Sequence, residues 1–425
     1  MTPSIKQRIE QIRRREVPEG YKKEKLGIVP EEWNETSFST LFTSTSDYTD
    51  DLDKYPLYSL TIEDGITPKT ERYKRSHLVK KEDSYKIVRP NDYAYNPMNL
   101  RFGAVARHKG DMPVAVSGYY DIFTTVHESD LPFMDSFLTC GPMITYYNRV
   151  STGSLVEKQR VHFSQFLEFM LPLPSINERT KIAAILTTQD KVIELKEKRL
   201  AEKQRQKKYL MQQLLTGKKR LPGFSGEWKN IKLCEVLSER KEKNVEQNLR
   251  ICSVAVQKGV VDQVEHLGRS YAANDTSNYS VAHYGDIIYT KSPTGDFLYG
   301  IVKQNLLQEK VAVSPLYGVF TPMTFGLGYF LHTYFQSAIY ARNYLLPIVQ
   351  KGAKNTINIT NDTFISSKLY LPLDVEEQKA IADTFIAADR EIDLLRQDIE
   401  QEKQKKKALM QLLLTGIVRV KHDSI

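Results

Sequence analysis

The densest patch of chemistry in this chain is basic. Residues 67–81, TPKTERYKRSHLVKK, carry Lys69, Arg72, Lys74, Arg75, Lys80 and Lys81 against one acid, Glu71, and Arg101, Arg107, His108 and Lys109 follow. Side chains of this kind neutralise phosphates, and the planar fork of Arg also reads guanine edges bidentately. Further on, Arg269, Lys291, Lys303, Arg342, Lys351 and Lys354 are spread more thinly. The candidates for a DNA-facing surface are Lys69, Arg72, Lys74, Arg75, Arg101, Arg107, Arg269, Lys291 and Lys354. The competing reading of each is a solvated surface charge. The Lys/Gln-rich stretches 203–208 and 403–407 take that second reading, as the outer face of a helix.

Catalytic constellations are missing from the sequence. There is no GxxxxGK[ST] phosphate loop and no glycine-rich strand–turn–helix motif for a dinucleotide or a methyl donor. The eight histidines are scattered without an HxH or HxxxH pair, so no metal site is expected. Asn96-Pro97-Met98-Asn99 lacks the second proline and the aromatic residue of an adenine-methyltransferase loop and reads as a turn after a strand. Pro90-Asn91-Asp92 lacks a convincing downstream acid-x-lysine, which a nuclease would need. The expectation is a non-catalytic chain without cofactor or metal.

The elements that must position the basic surface come from a duplication. LPLPSINERTKIAAILTTQDKVIELKEKRLAEKQRQKKYLMQQLLTG at 171–217 is answered by LPLDVEEQKAIADTFIAADREIDLLRQDIEQEKQKKKALMQLLLTG at 371–416. At a constant offset of 199, 15 of the 40 positions from Glu178/Glu377 to Gly217/Gly416 are identical. Leu186, Ile193, Leu200, Lys207 and Leu214 fall at steps of seven, as do Phe385, Ile392, Ile399, Lys406 and Leu413. A patchier second row four residues earlier holds Ile182 and Leu210, then Ile381, Leu395 and Leu409, with Gln189, Lys196 and Lys203 interrupting the first copy. Two rows offset in this way form the seam of a coiled coil. There is no Gly or Pro between Asn177 and Thr216 or between Asp374 and Thr415; each stretch ends at a glycine, Gly217 or Gly416, which suits a C-cap, and each follows a Leu-Pro-Leu run. Two such seams in one chain most simply pair with each other, antiparallel.

Outside the helices, residues 31–170 and 226–370 alternate short runs of Tyr, Val, Ile and Phe with turn residues, the pattern of strands. They echo one another weakly. Glu32-Trp33 answers Glu227-Trp228, Asp92-Tyr93-Ala94-Tyr95 answers Asp286-Ile287-Ile288-Tyr289, and Val116-Ser117-Gly118-Tyr119-Tyr120 answers Val313-Ser314-Pro315-Leu316-Tyr317. The repeated unit is therefore a β-rich globule followed by a long helix. The globules have diverged far more than the helices, so the helices share a task and the globules differ in theirs.

The bulk numbers agree. A length of 425 residues with 41% hydrophobic and 26% charged residues is globular and allows two or three domains. The net charge of +8 favours an anionic partner. Cys140, Cys234 and Cys252 form no CxxC pair, and the N-terminus is polar, so a cytoplasmic protein that does not enter a membrane is expected.

Those residues resemble the specificity subunits of type I restriction–modification systems. The likeness rests on Leu-Pro-Leu-Pro with Asn177-Glu178 and Ile182-Ala183, and on its second copy with Glu376-Glu377-Gln378 and Ile381-Ala382. It rests too on both Leu-Met-Gln…Leu-Leu-Thr-Gly endings, on Val-Ser-x-x-Tyr in each globule, and on Val17-Pro18-Glu19-Gly20-Tyr21 with Leu26-Gly27-x-Val29-Pro30-x-x-Trp33. The second copy departs at Asp374, where the first has a proline. The resemblance implies an α+β fold: two β-rich α/β target recognition domains joined by two long antiparallel coiled-coil helices in a pseudo-two-fold repeat. It implies an N-terminal arm at 1–30, recognition domains at 31–174 and 218–373, a central spacer helix at 175–217, and a second spacer helix with a tail at 374–425. Each domain would read one half of a split site in double-stranded DNA. The helices would set the spacer and dock two methyltransferase subunits that methylate adenine, and restriction subunits with a motor and a nuclease would join them. A stand-alone tandem-domain DNA-binding regulator, an enzyme in its own right, and a coiled-coil scaffold are the rival readings.

Overall fold

A computed structural model describes residues 3–69, 85–154, 159–269, 275–351 and 357–420. The chain divides into two compact units: Met1–Glu197 with Asp398–Ile425, and Lys198–Gln397. Each unit holds one globule and parts of both long helices. The fold class expected from the sequence is present: mixed sheet-and-helix globules and two helices of 39 residues each, Ile176–Leu214 and Val375–Leu413. At 1.5 Å per residue each helix runs about 58 Å.

The globules share one plan that their sequences barely reveal. In the first, strands Val105–Arg107, Tyr93–Tyr95, Asp121–Thr125 and Phe42–Thr45 form an antiparallel sheet in that order; in the second, Val302–Gln304, Ile287–Tyr289, Gly318–Pro322 and Leu237–Glu239 do the same. The register matches as well, with Tyr93 opposite Phe123 and Ile287 opposite Phe320. Both Asp echoes are corners before the same strand. The Asp92 carboxylate accepts the Arg89 amide at 3.0 Å, and the Asp286 carboxylate accepts the His283 amide at 2.8 Å. The preceding residue is left-handed in each, Asn91 at φ 72° and Gly285 at φ 91°, a conformation open to Asn and Gly. A second sheet stands beside the first in each globule: three strands, Val114–Ser117, Tyr85–Val88 and Tyr48–Thr49, in one, and four, Gly259–Asp262, Arg250–Ala255, Val311–Val313 and Ser280–Ala282, in the other.

Aromatic side chains fill the first core, among them Phe38, Phe42, Tyr93, Tyr95, Phe123 and Phe166. Ile182, Ala183 and Leu186 from the first helix and Leu413 and Leu414 from the second belong to the same core. In the second unit, Leu214 and Leu215 with Ile381, Ala382 and Phe385 join the core around Tyr289, Phe320 and Phe330. The seam residues thus divide by position. Leu186, Leu214, Phe385 and Leu413 are shared with a globule, while Ile193, Ile392 and Ile399 are buried between helices and belong to neither core, and Leu200 is half-buried.

Ion pairs within each unit show the helices running antiparallel. In the first unit, Asp190, Lys196 and Glu197 pair with Lys406, Asp398/Glu402 and Lys403. In the second, Lys203 and Lys207 pair with Glu391 and Asp389. The lysines that interrupt the apolar rows are therefore matched devices: Lys406 meets Asp190, and Lys207 meets Asp389. The 203–208 stretch is not simply a solvated face, because the Lys207 side chain is only 12% exposed and also donates to Gln336 Oε1 at 2.7 Å.

Each helix end is closed by a clamp built from distant residues. Gly217 and Gly416 are left-handed, at φ 69° and 70°, and cap the helices. Three residues beyond each glycine stands an arginine. Arg220 forks onto Glu377, and Trp228 Nε1 donates to the same carboxylate at 3.1 Å. Arg419 forks onto Glu178 at 2.7 and 2.8 Å, and Trp33 Nε1 donates to it at 3.3 Å. In the first unit the chain ends meet here, since Arg8 Nη1 donates to the Ile417 carbonyl at 2.7 Å and the Tyr21 hydroxyl to that of Gly416 at 2.8 Å.

Candidate nucleic-acid interface

In the first globule, hairpin Tyr58–Thr61/Gly65–Pro68 lies beside the smaller sheet and leaves a recess of about 430 Å³. Tyr48, Tyr58, Tyr85, Tyr119 and Tyr120 line it with Lys69, so flat faces and one cation meet in one concavity. That combination suits stacking and phosphate contact. Lys69 is half-buried, and its amide donates to the Leu57 carbonyl at 3.0 Å, which fixes where the side chain starts. Among the described residues it is the one sequence-predicted cation that lines the recess. Arg72, Lys74, Arg75 and Lys354 lie outside the described residues.

The other predicted cations have different surroundings. Arg101 donates to Gln159 Oε1 at 3.1 Å, lies 4.5 Å over the Phe102 ring, and keeps its Nε buried without a hydrogen-bond partner among the described residues. Arg107 is engaged within the globule: Nε and Nη2 fork onto Asp135 at 2.9 and 2.8 Å, and Nη1 donates to Asn91 Oδ1 at 2.7 Å. Burial pulls the Asp135 carboxyl up, but the Arg107 hydrogen bonds and the Lys109 charge outweigh it and hold the group below the usual carboxylate range. Arg269 is exposed just past the short helix Gln263–Leu267. Lys291 is half-buried in the left-handed region at φ 59°, and burial lowers its pKa against the opposing pull of Glu239.

Lys303, which the sequence leaves as an ordinary surface charge, is buried under helix Phe325–Tyr334. Burial pushes its amine down to about 8, the Lys207 charge adds to the shift, and Asp389 opposes it. His332 beside it is held well below the usual histidine range, chiefly by burial, with its Nδ1 accepting the Gln304 amide at 3.0 Å. An unfolded lysine titrates near 10.4, so between about 8 and about 10.4 the unfolded chain holds a proton that the folded chain has lost. Stability therefore rises with pH across that window, and below it the full penalty of the buried charge is present. Lys303→Met is expected to be more stable than the parent at pH 7 by on the order of 3 kcal/mol, a gap that closes by about pH 10.5. Denaturant titrations at the two pH values measure it, and an equal gap at both would contradict the assignment.

The residues that sequence reasoning missed are the clamp arginines and the tyrosines of the recess. Leu-Leu-Thr-Gly-x-x-Arg occurs at both helix ends, at 214–220 and 413–419, so the arginine signal stood in the repeat itself. The tyrosines carry no such signal, since they lie at scattered positions from 48 to 120. No group of three or more potential metal ligands and no helix long and apolar enough to cross a membrane occurs among the described residues.

Comparison with known proteins gives one consistent picture. The family described as type I restriction modification DNA specificity domain matches residues 226–404. The type I restriction enzyme MjaVIII specificity subunit of Methanocaldococcus jannaschii is 26% identical over 285 residues, which span 60% of this chain and 64% of that protein. A chain named as the MjaX specificity subunit of the same organism is 23% identical over 438 aligned positions, spanning 95% of this chain and 97% of that one. Among solved structures, the S subunit of a type I restriction-modification system from M. genitalium aligns with a TM-score of 0.54 over 90% of this chain and 96% of its own length. Its sequence identity is 11%, so this likeness is one of fold.

Proposed function

We propose that the chain is a specificity subunit of a type I restriction–modification system and selects the DNA sequence on which the complex acts. Each globule, within 31–174 and 218–373, reads one half of a split site. The long helices set the distance between the halves and dock two methyltransferase subunits, and restriction subunits with a motor and a nuclease join that core in the cytoplasm. The chain is the non-catalytic part of an adenine methyltransferase and ATP-dependent endonuclease. The observation that carries this reading is the pairing of one shared globule plan with strongly diverged surfaces on two closely similar helices. A common frame that presents two different faces suits a bipartite, asymmetric target. Phosphate contacts are assigned to Lys69 and to Arg72, Lys74 and Arg75, close by in sequence, with Arg101, Arg269, Lys291 and Lys354 as further candidates; Arg107 is engaged by Asp135 and Asn91.

The test is a methylation map of a host genome with and without this chain, co-expressed with a type I methyltransferase subunit. Adenine methylation at one split motif, lost with the gene, is the expected result. A map that does not respond to the gene, although the methyltransferase is present and folded, would overturn the reading.

A further inference from the structure

The strand connection between the two sheets is built the same way in both globules. Ser117-Gly118-Tyr119-Tyr120 joins Val114–Ser117 to Asp121–Thr125, and Ser314-Pro315-Leu316-Tyr317 joins Val311–Val313 to Gly318–Pro322. The serine braces the turn twice. Ser117 Oγ accepts the Tyr119 amide at 3.3 Å and Ser314 Oγ accepts the Leu316 amide at 3.3 Å. The Ser117 carbonyl takes the Tyr120 amide and the Ser314 carbonyl takes the Tyr317 amide, both at 3.0 Å. The fourth residue anchors the turn, because Tyr120 and Tyr317 each pack on a small apolar cluster of valines, alanine and isoleucine under the sheets. What the frame presents is its third residue. Tyr119 is 50% exposed and Leu316 71% exposed, large apolar side chains on turns where a small polar residue would cost nothing. Brace and anchor are the same in both copies, and the presented side chain differs.

We propose that Tyr119 and Leu316 are specificity-determining residues, each inserted at the base edges of the half-site that its own globule reads. This rests on the reading that the globules recognise DNA. A rigid turn holds the tip against the loss of freedom on binding, so contact with the correct base is gained at low entropic cost. Leu316 offers only methyl groups, and its natural contact in the major groove is the thymine methyl. Tyr119 offers a ring and a hydroxyl, and it opens onto the recess where Lys69 stands ready for the adjoining phosphate.

The experiment uses the full chain in complex with its methyltransferase subunits. Methylation maps and duplex binding are compared for the parent, Tyr119→Ala and Leu316→Ala. Tyr119→Ala is expected to relax one position of one half-site, with discrimination there falling about five- to a hundred-fold, while the other half stays intact. Leu316→Ala is expected to do the converse. Replacing thymine by deoxyuridine in the second half-site should weaken the parent and leave Leu316→Ala unaffected. Unchanged motifs in both variants overturn the proposal while a split motif in the parent leaves the specificity reading standing. So does loss of both halves together, or loss of the methyltransferase with base preference retained. A variant that unfolds at lower denaturant than the parent assigns the tip a structural role and overturns the proposal equally. A parent that methylates no split site fails at the level of the specificity reading itself.

Discussion

Ile392→Asp is expected to separate the two long helices at their middle while both globules stay folded. Ile392 is 5% exposed in the second unit and belongs to neither globular core. Burying a carboxylate at this position costs several kcal/mol or forces it to bind a proton. With the lost aliphatic packing added, the helix pair loses about 4 kcal/mol. Ile193→Asp places the same charge at the matched position of the first unit. Because the globules keep their own cores, hydrogen exchange should quicken along the central helical turns and remain slow in strands such as Ile287–Tyr289. On the proposed function, split-site methylation disappears in both variants, since the half-sites lose their fixed separation. Full methylation with parental exchange rates in Ile392→Asp would contradict the spacer role.

Glu377→Ala is expected to lower the unfolding free energy by about 3 kcal/mol. The carboxylate is 1% exposed and takes the Arg220 fork and the Trp228 indole together. Its removal leaves Nε and Nη2 of Arg220 and the Trp228 indole N–H without their acceptor, while Arg220 Nη1 keeps the Gly226 carbonyl at 2.7 Å, and stranding those donors costs more than the pair itself contributes. Arg220 is about a quarter exposed and recovers part of the loss by turning to water, which sets the figure at the low end for a buried pair. Glu178→Ala removes the matching clamp of the first unit, where Arg419 also reaches Glu32 at 2.9 Å. Replacing both partners, as Glu377→Met with Arg220→Met, is expected to recover much of the stability because no charge is then stranded. Chemical denaturation of the three variants decides it, and a Glu377→Ala value within 0.5 kcal/mol of the parent would remove the clamp from the list of structural determinants.

The long helices were legible because their signals are local and repeated. Heptad spacing from Leu186 to Leu214 and from Phe385 to Leu413 is a statement about residues seven apart, and the structure buries all of those positions except the half-buried Leu200 and the two paired lysines. Gly217 and Gly416 marked the caps for the same reason: a left-handed residue after a helix is met by glycine at little cost. The strands were legible as a pattern but not as a topology. Which strand pairs with which depends on partners such as Phe42–Thr45 and Asp121–Thr125, far apart in the chain, and alternation alone carries no address. Basic residues were the hardest to assign, because a side chain that meets phosphate and one that meets an internal carboxylate look alike in sequence. Arg107 found Asp135 and Asn91.

The sequence by itself determined the duplication, the seam and the helix ends, since each is written in residues that are near neighbours or repeat at a constant offset. Only the tertiary structure decided which charges are internal and which frames are shared. Glu178 and Arg419 stand 241 residues apart, and no spacing rule joins them until the chain ends are folded onto one unit. Lys207 and Asp389 were visible as a polar break in an apolar row and as one acid among many, and antiparallel pairing of the helices made them a pair. The matched serine-braced turns emerged in the same way. Their hydrogen bonds are local, but their common place between two sheets exists only once non-local strands have paired, because side-chain periodicity encodes faces and not partners.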